Sequence, residues 1–374
     1  MIIKNKKPTV YIALSGGIDS AVSAALLKEK GYQVMGIFLK LFRGQKEEQA
    51  RIVAKKLAIP FFILDFKKEF KREVIDYFLK EYEKGKTPNP CVVCNQKIKF
   101  GLLFKKILNL GADFLATGHY VRVKSQKSKV KSASEKLKVV YKLLKAKDKE
   151  KDQSYFLYNL NQKQLKRILF PLGDLTKKEV RKLAKKFNLP VFGRPESQEI
   201  CFVKDLNVND FLRRYLKLEE GLIINEYGQE IGKHQGLFLY TIGQRKTIGI
   251  GGTGPYYVVG KDLKKNNLIV TNNFRSPFLY RKSLIAKKVN WISGIEPNLP
   301  LKIKAQVRYR QEAKSAEIRK TKNKNIPDCP ACSADRRQAS YEVVFSKSQR
   351  AIAPGQSVVF YRRGEILGGG VIKS

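Results

Sequence analysis

A chain of 374 residues with 43% hydrophobic side chains is long enough for two or three domains with their own cores, and too apolar to be disordered. Its net charge of +42, from 75 Lys and Arg against 33 Asp and Glu, points to a polyanionic partner, nucleic acid before a membrane surface, with part of the excess set down to lysine-rich composition. No apolar run approaches the ~20 residues of a membrane span, and the basic Met1–Lys7 leads into Pro8 and a strand rather than a signal-peptide core, so a cytoplasmic protein without a membrane partner is expected.

The five cysteines are odd in number and include two C-x-x-C pairs, which favours metal or redox chemistry over structural disulfides. Only two histidines occur, His119 and His234, so a His-rich metal site is excluded and a Ser-His-Asp triad has few ways to form.

The first element is the apolar run Val10–Leu14, which reads as a buried parallel strand. It opens into Ala13-Leu-Ser-Gly-Gly-Ile-Asp-Ser20, followed by a helical run Ala21–Leu27 with Asp19 or Ser20 as its cap. Ser15, Gly16 and Gly17 then form a tight strand-to-helix turn. Its backbone N–H groups and the helix dipole behind them favour an anion. The loop lacks the Gly-Lys-[Ser/Thr] ending of a Walker loop and resembles the pyrophosphate loop of enzymes that cleave ATP to AMP and pyrophosphate.

Strand-like runs follow at Gln33–Phe38, Phe61–Leu64 and Asp113–Ala116, separated by helical patterns at Glu47–Leu57, Phe70–Tyr82 and Asn95–Leu110, the last with Asn95 as N-cap. This alternation predicts an α/β domain with a doubly wound parallel sheet and an active site at the strand C-terminal ends, where both the Ser-Gly-Gly loop and Thr117-Gly118-His119 fall. Between the second and third helices lies Thr87-Pro-Asn-Pro-Cys-Val-Val-Cys94, running on to Phe100. Prolines 88 and 90 are expected to bar a helix until about Cys94. That would put Cys94 near a helix N-terminus beside Lys97 and Lys99 and favour its thiolate.

Lys124–Lys138 is Lys/Ser-rich and reads as an exposed loop, either an electrostatic arm on RNA or plain solvated chain. Lys151–Leu157 and Thr176–Asn188 read as helices, the second capped by Thr176 with Glu179 three residues on. Cys201 ends a polar segment starting at Gly193, and spacing alone cannot bring it to Cys94. A short helix is expected around Asp205–Leu216. Beyond residue 217 glycines and short β-like runs take over, at Leu222–Asn225, Leu237–Tyr240, Tyr256–Val259 and Leu268–Thr271. From Leu284 onward, alternation in Lys302–Arg310, Tyr341–Phe345, Ser357–Tyr361 and Ile366–Ile372 predicts a β-barrel. A basic insert, Lys320–Gln338, carries Cys329 and Cys332, too few ligands for zinc on their own. The expected division is a catalytic domain over 1–217, a small β-rich domain over 218–280 and a β-barrel over 281–374.

These motifs occur in one order along nearly the whole chain: the Ser-Gly-Gly loop, Asn89–Phe100, Ala116-Thr-Gly-His-Tyr120, Lys151-Asp-Gln-Ser-Tyr-Phe156, Ser197-Gln-Glu-Ile-Cys201, Tyr240-Thr-Ile-Gly-Gln-Arg-Lys246, Arg308-Tyr-Arg-Gln311 and Ala353-Pro-Gly-Gln356. The chain thereby resembles the bacterial and organellar tRNA-specific 2-thiouridylases of the MnmA family. The resemblance implies sulfur transfer to C2 of the wobble uridine, position 34, of certain tRNAs. ATP with Mg²⁺ would adenylate the C2 oxygen, a persulfide on Cys201 would deliver sulfur, and Cys94 would be the partner thiol, leaving a Cys94–Cys201 disulfide. Ala13, Leu14, Ser15, Gly16, Gly17, Ile18, Asp19 and Ser20 would bind the phosphates, with Leu39 (where the family usually has Met) and Gly118 bordering the nucleotide. Asn89, Pro90 and Cys91 would lie by the target base. His119, Lys151, Asp152, Gln153, Arg308, Tyr309 and Gln356 would meet the tRNA. The implied partners are tRNA and a sulfur-donor protein, a cysteine desulfurase or a relay; a monomer is expected.

Three departures accompany the resemblance. Thr247 stands where the family has glycine after Gln-Arg-Lys, the Cys329/Cys332 insert lies outside the pattern, and Cys91 stands where many relatives carry Asp. If Cys91, Cys94 and Cys201 converge, they match the ligand set of a [4Fe–4S] cluster with one open iron, able to hold hydrosulfide, or of zinc. The plainer reading has Cys91 simply replacing Asp beside the base. Two other functions stay open on the residues alone. One is a synthetase with the same loop that adenylates a small carboxylate or carbonyl, such as those making argininosuccinate or GMP. The other is a non-enzymatic zinc- and RNA-binding protein.

Overall fold

The structure, a computed structural model, describes residues 7–129, 137–191, 200–203, 206–250, 254–321 and 339–373. Cys329, Cys332 and most of the 193–202 motif lie outside the described residues. No described helix is long and apolar enough to cross a membrane.

Strands β1 (Thr9–Ala13), β2 (Gln33–Lys40), β3 (Phe61–Asp65) and β4 (Phe114–Ala116) come first, then a hairpin of β5 (Arg122–Lys129) and β6 (Leu137–Leu144), then a short β7 (Ile168–Leu169). Five of these form a parallel sheet in the order β3-β2-β1-β4-β7, as the alternation predicts. The strand order reverses between β1 and β4, which opens a crevice at their C-terminal ends. Because successive side chains of a strand face opposite ways, β1 feeds two cores. Val10 and Ile12 pack with helices Ile18–Glu29, Glu48–Lys56 and Lys177–Lys186. Tyr11 packs on the other side with Cys94, Ile98 and Phe100.

That second layer holds the helix carrying the cysteines. It begins at Pro90, runs to Val93, continues as a wider π-type stretch over Cys94–Leu103 and ends as an α-helix over Phe104–Asn109. The expectation of a start near Asn95 is corrected. Proline at the first helical position loses only an N–H that has no helical partner anyway, and Asn89 is the cap, its Oδ1 accepting from the Val92 N–H at 3.3 Å. Asn95 is buried inside the helix, and its Oδ1 has no hydrogen-bond partner among the described residues.

Two further expectations change. The described residues of Lys124–Lys138 are strand rather than loop: Lys124–Lys129 and Leu137–Lys138 lie in the paired β5 and β6, and β6 joins the last strand of the chain through Leu143 and Leu144. Val139, Tyr141 and Leu143 alternate on one side of β6, a period-2 signal that the lysines obscure. Lys151–Leu157 is an organised loop with one 3₁₀ turn at Ser154–Phe156 rather than a helix. The Asp152 carboxylate there accepts from the Ala146 N–H (3.0 Å), the Ser154 N–H (3.3 Å) and the Ser154 hydroxyl (2.8 Å), competing with helical pairing. The helix capped by Thr176 and Glu179 forms as expected.

A small sheet comes next, β8 (Gly221–Asn225), β9 (Glu230–His234), β10 (Tyr257–Asp262) and β11 (Asn267–Thr271), in the order β10-β11-β8-β9. Leu237–Leu239 is a 3₁₀ turn instead of the expected strand, and β9, with one large apolar residue, carries no sequence signal. Thr247 keeps the left-handed turn its position calls for, at φ +60. The barrel comprises β12 (Tyr280–Trp291), β13 (Leu301–Gln306), β14 (Lys314–Lys320), β15 (Tyr341–Arg350), β16 (Ser357–Arg362) and β17 (Glu365–Ile372), closed by β12–β17 pairing and extended by the hairpin on β17. It is fixed to the catalytic core by buried polar contacts. Tyr155 OH donates to the Ser357 carbonyl at 2.8 Å, and Asn290 Nδ2 donates to the Tyr158 carbonyl at 2.7 Å.

Candidate active site

After β1 the chain turns sharply. Gly16 has φ +81, and a Cβ there would lie 2.9 Å from Gln49 Cβ and 3.1 Å from the Ala50 nitrogen, so both conformation and space demand glycine. The turn closes on itself. The Ser15 N–H donates to Ser20 Oγ at 3.2 Å, and the Ser20 hydroxyl donates to the Gly17 carbonyl at 3.0 Å. Gly17, rather than Asp19 or Ser20, is the N-cap of the helix and caps it with backbone alone. Its φ of −90 is ordinary, and the only heavy atom within 4 Å of a Cβ there would be Ser15 Oγ at 3.5 Å. Its open side faces away from the packed helix, next to first-turn N–H groups that have no helical acceptor.

From the other side of the crevice, Gly118 follows β4. A Cβ on it would sit 2.9 Å from the Asp19 carbonyl carbon and the Ser20 nitrogen, so the two loops touch backbone to backbone. Leu14 and Leu39 are buried on neighbouring strands beneath, and Ala13 and Ile18 are half-buried. Asp19 neither caps nor stands free. Its Oδ1 accepts from Tyr120 OH at 2.7 Å and pairs with Lys177 Nζ at 2.6 Å. The Lys177 side chain is only 9% exposed. Neither Lys177 nor Tyr120 carries a sequence signal for this role, since the two approach the loop from separate parts of the chain.

Cys91 and Cys94 lie a turn apart on the second-layer helix. Cys91 is half-buried, Cys94 is 7% exposed within the apolar core, and Cys201 is exposed. The three thiols feel one another's charge, which brings Cys201 into the neighbourhood that spacing could not assign. The expectation of a ready thiolate at Cys94 is corrected. Burial pushes the Cys94 thiol up to about 12 and the Cys91 thiol up to about 11, and the chain crowded around the sulfur of Cys201 desolvates it and raises its pKa too, although the residue as a whole is exposed. Lys99 pulls each of the three down, by less than burial raises it. The early helix start also puts Cys94 in the second turn, beyond the N–H groups of the helix N-terminus. Among the described residues no group of three or more His, Cys, Asp or Glu is found that could hold a metal ion.

The residues expected at the tRNA have varied surroundings. Arg308 is exposed on the barrel. Half-buried Tyr309 packs on Phe156, ring centroids 4.4 Å apart, and so ties the barrel to the 151–156 loop. Lys151 is half-buried beside Asp152, whose carboxylate is taken up by Ala146 and Ser154. Gln153 Oε1 accepts from the Tyr120 N–H at 3.0 Å. Gln356 Nε2 donates to the Thr87 carbonyl at 2.9 Å. His119 is 8% exposed, its Nδ1 is 2.7 Å from Thr117 Oγ1, and its ring lies near Phe100 and Phe170. Burial, and then Lys99, hold it well below the usual histidine range, as for a neutral imidazole in the core. Through Phe100 it joins the thiol helix to Gly118 and so to the glycine loop. Asn89 caps the thiol helix, and Pro90 is buried at its start.

Known families fit this chain in consecutive pieces. Residues 8–205 match a tRNA methyl transferase HUP domain, residues 209–272 a tRNA methyl transferase PRC-barrel domain, and residues 281–328 and 325–372 an aminomethyltransferase beta-barrel domain. Whole-length relatives carry a different activity in their names. The tRNA-specific 2-thiouridylase MnmA of Geobacillus thermodenitrificans is 40% identical over 98% of this chain and 96% of its own. That of Clostridioides difficile is 40% identical over 99% and 98%, and that of Halothermothrix orenii 43% over 97% and 98%.

Proposed function

The chain belongs to the tRNA-specific 2-thiouridylase family, and from that premise we propose that it transfers sulfur, at the expense of ATP, to C2 of the wobble uridine of tRNA. The observation that carries this reading is the crevice between β1 and β4. There a glycine turn built for an anion touches Gly118, and the adjoining His119 packs on the helix that bears Cys91 and Cys94. Methyl transfer, the activity in the names of the matching domains, calls for neither a pyrophosphate loop nor a set of thiols close enough to influence one another.

In this reading Gly16, Gly17 and the first-turn N–H groups hold the ATP phosphates with Mg²⁺, and the C2 oxygen of the uridine attacks the α-phosphorus, releasing pyrophosphate. A sulfur-donor protein leaves Cys201 as a persulfide. Its terminal sulfur attacks C2, the C2–O bond breaks, and AMP leaves with the electron pair. The Cys94 thiolate then attacks Cys201 Sγ, and the S–S bond to the uridine breaks. The new sulfur stays on C2, N3 takes up a proton, and a Cys94–Cys201 disulfide remains for an external thiol to reduce. Since burial keeps Cys94 protonated, its proton must be lost in that step, and Lys99 is the cation that favours the loss. Arg308 and the surrounding basic surface contribute phosphate contacts.

A cluster held by Cys91, Cys94 and Cys201 is the second reading, favoured by the mutual influence of the three thiols. Iron and sulfide assay after anaerobic purification separates the two. The principal test is nucleoside mass spectrometry of unmodified tRNA after incubation with ATP, Mg²⁺ and a persulfide donor. The expected product is 2-thiouridine with one pyrophosphate released per thiolation; pyrophosphate release without tRNA thiolation, or neither, overturns the reading.

A further inference from the structure

The residue that introduces the Pro-Asn-Pro-Cys segment is gripped from two distant parts of the chain. The Thr87 N–H donates to the Pro354 carbonyl at 2.9 Å. The Thr87 carbonyl accepts from Gln356 Nε2 at 2.9 Å. The Thr87 hydroxyl donates to Thr241 Oγ1, on the small β domain, at 3.2 Å. Gly355 completes the grip. It has φ +90, and a Cβ there would lie 3.1 Å from the Thr87 nitrogen and carbonyl carbon, a backbone-on-backbone contact that admits no side chain. Two residues upstream, Lys261 Nζ donates to the Gly85 carbonyl at 3.0 Å. All three polar groups of Thr87 are therefore engaged, and none of the partners comes from the parallel-sheet domain.

The segment after Thr87 is stiff. Pro88 and Pro90 are buried and each fixes its own φ, and Asn89 between them is committed to capping the helix. No soft joint separates Thr87 from Cys91, so a displacement of Thr87 is passed on to the first turn of the thiol helix.

We propose that Gln356, with the Pro354–Gly355 turn and Thr241, is a positioning residue for the thiol helix, so that the barrel and the small β domain set where Cys91 and Cys94 stand. Gln356 thereby acts on the protein itself and in the absence of RNA. The meaning of this arrangement rests on the thiols being the reacting groups; its test does not.

The test uses the full chain without ATP or tRNA and compares wild type with Gln356→Ala, Gln356→Glu and Thr241→Val. Hydrogen exchange of peptides spanning 84–94 and the rate of Cys91 alkylation by iodoacetamide are the readouts. Loss of one such hydrogen bond is expected to speed exchange of the Thr87 and Val92 amides about fivefold and to quicken Cys91 alkylation, while peptides covering Ala13–Ser20 stay unchanged. Gln356→Glu, equal in size but without the N–H₂ donor, should match or exceed Gln356→Ala. If a Gln356 variant fails to fold, Thr241→Val, on the opposite side of the grip, decides by the same readouts. Unchanged exchange and alkylation, with any loss confined to tRNA affinity, overturn the proposal and leave Gln356 as an RNA contact only.

Discussion

The glycine loop and the start of the thiol helix serve the same crevice but are held by opposite means. The backbone turn of the loop is closed by its own atoms, Ser15 to Ser20 and Ser20 to Gly17, and Asp19 alone ties it by a side-chain bond to distant described residues, Tyr120 and Lys177. The thiol helix is entered from Thr87, which lies three residues before Pro90 and whose side-chain and carbonyl partners are 154 and 269 positions away. A locally closed element is broken by changes within it, whereas a remotely held one is also broken from modules that contain none of the chemistry.

The largest effect that separates the two regions comes from the sulfur groups. Cys201→Ser and Cys94→Ser should lower tRNA thiolation by at least ~10³-fold while pyrophosphate release on adding ATP and tRNA stays within about twofold of wild type. A Cys94→Ser enzyme that still turns over breaks the paired-thiol scheme. Next is the loop. Gly17→Val keeps an ordinary φ and meets no close neighbour, so the fold should survive with an unchanged Tm while pyrophosphate release falls by roughly 10²-fold. Gly16→Val, at φ +81 and against Ala50, should in addition lose about 2 kcal/mol of stability. Equal Tm values for the two variants would show that the left-handed conformation of Gly16 and its contact with Ala50 do not constrain the loop.

A smaller effect reads out the burial of the thiols. Their pKa values are raised in the folded protein, so the folded state favours the protonated form. This contribution to stability is fully present below the ordinary value of 9.0 and is lost as pH climbs towards about 11 for Cys91 and about 12 for Cys94. Chemical denaturation of wild type and Cys94→Ser should therefore show wild type losing more stability between pH 9 and pH 11. Parallel curves would place Cys94 in water. The smallest effect lies at Thr247, where a β-branched residue occupies φ +60. Thr247→Gly should gain about 1 kcal/mol in denaturant unfolding, less whatever the hydroxyl bonds to Lys246 and Gln244 contribute.

The features legible in the sequence are those decided by neighbours along the chain. The strand-loop-helix at Val10–Leu27 announces itself because glycines, serines and apolar periodicity sit side by side, and the parallel sheet follows from the same alternation. Features set by distant contacts escape such a reading. Asn95 looks like a cap until Asn89 and Pro90 start the helix six residues sooner. Cys94 looks activated by two lysines until the apolar core closes over it. His119 has the composition of a surface ligand and the position of a core residue between Phe100 and Phe170. The β5–β6 hairpin has too many lysines to read as sheet, because only its junction with β17 is buried. Lys177 emerges beside Asp19 from 158 positions away, and no local pattern marks it.

The attachment of that hairpin also bears on how the chain is made. The parallel sheet has all five strands once residue 169 has left the ribosome, yet β6 can pair with β17 only after nearly the whole chain has been synthesised. The contact between Tyr155 and Ser357 likewise spans 202 residues. A finished nucleotide-binding sheet thus waits during translation with an open strand edge and unsatisfied tyrosines. An open edge of this kind is a template for mispairing until the C-terminal strand arrives to cover it.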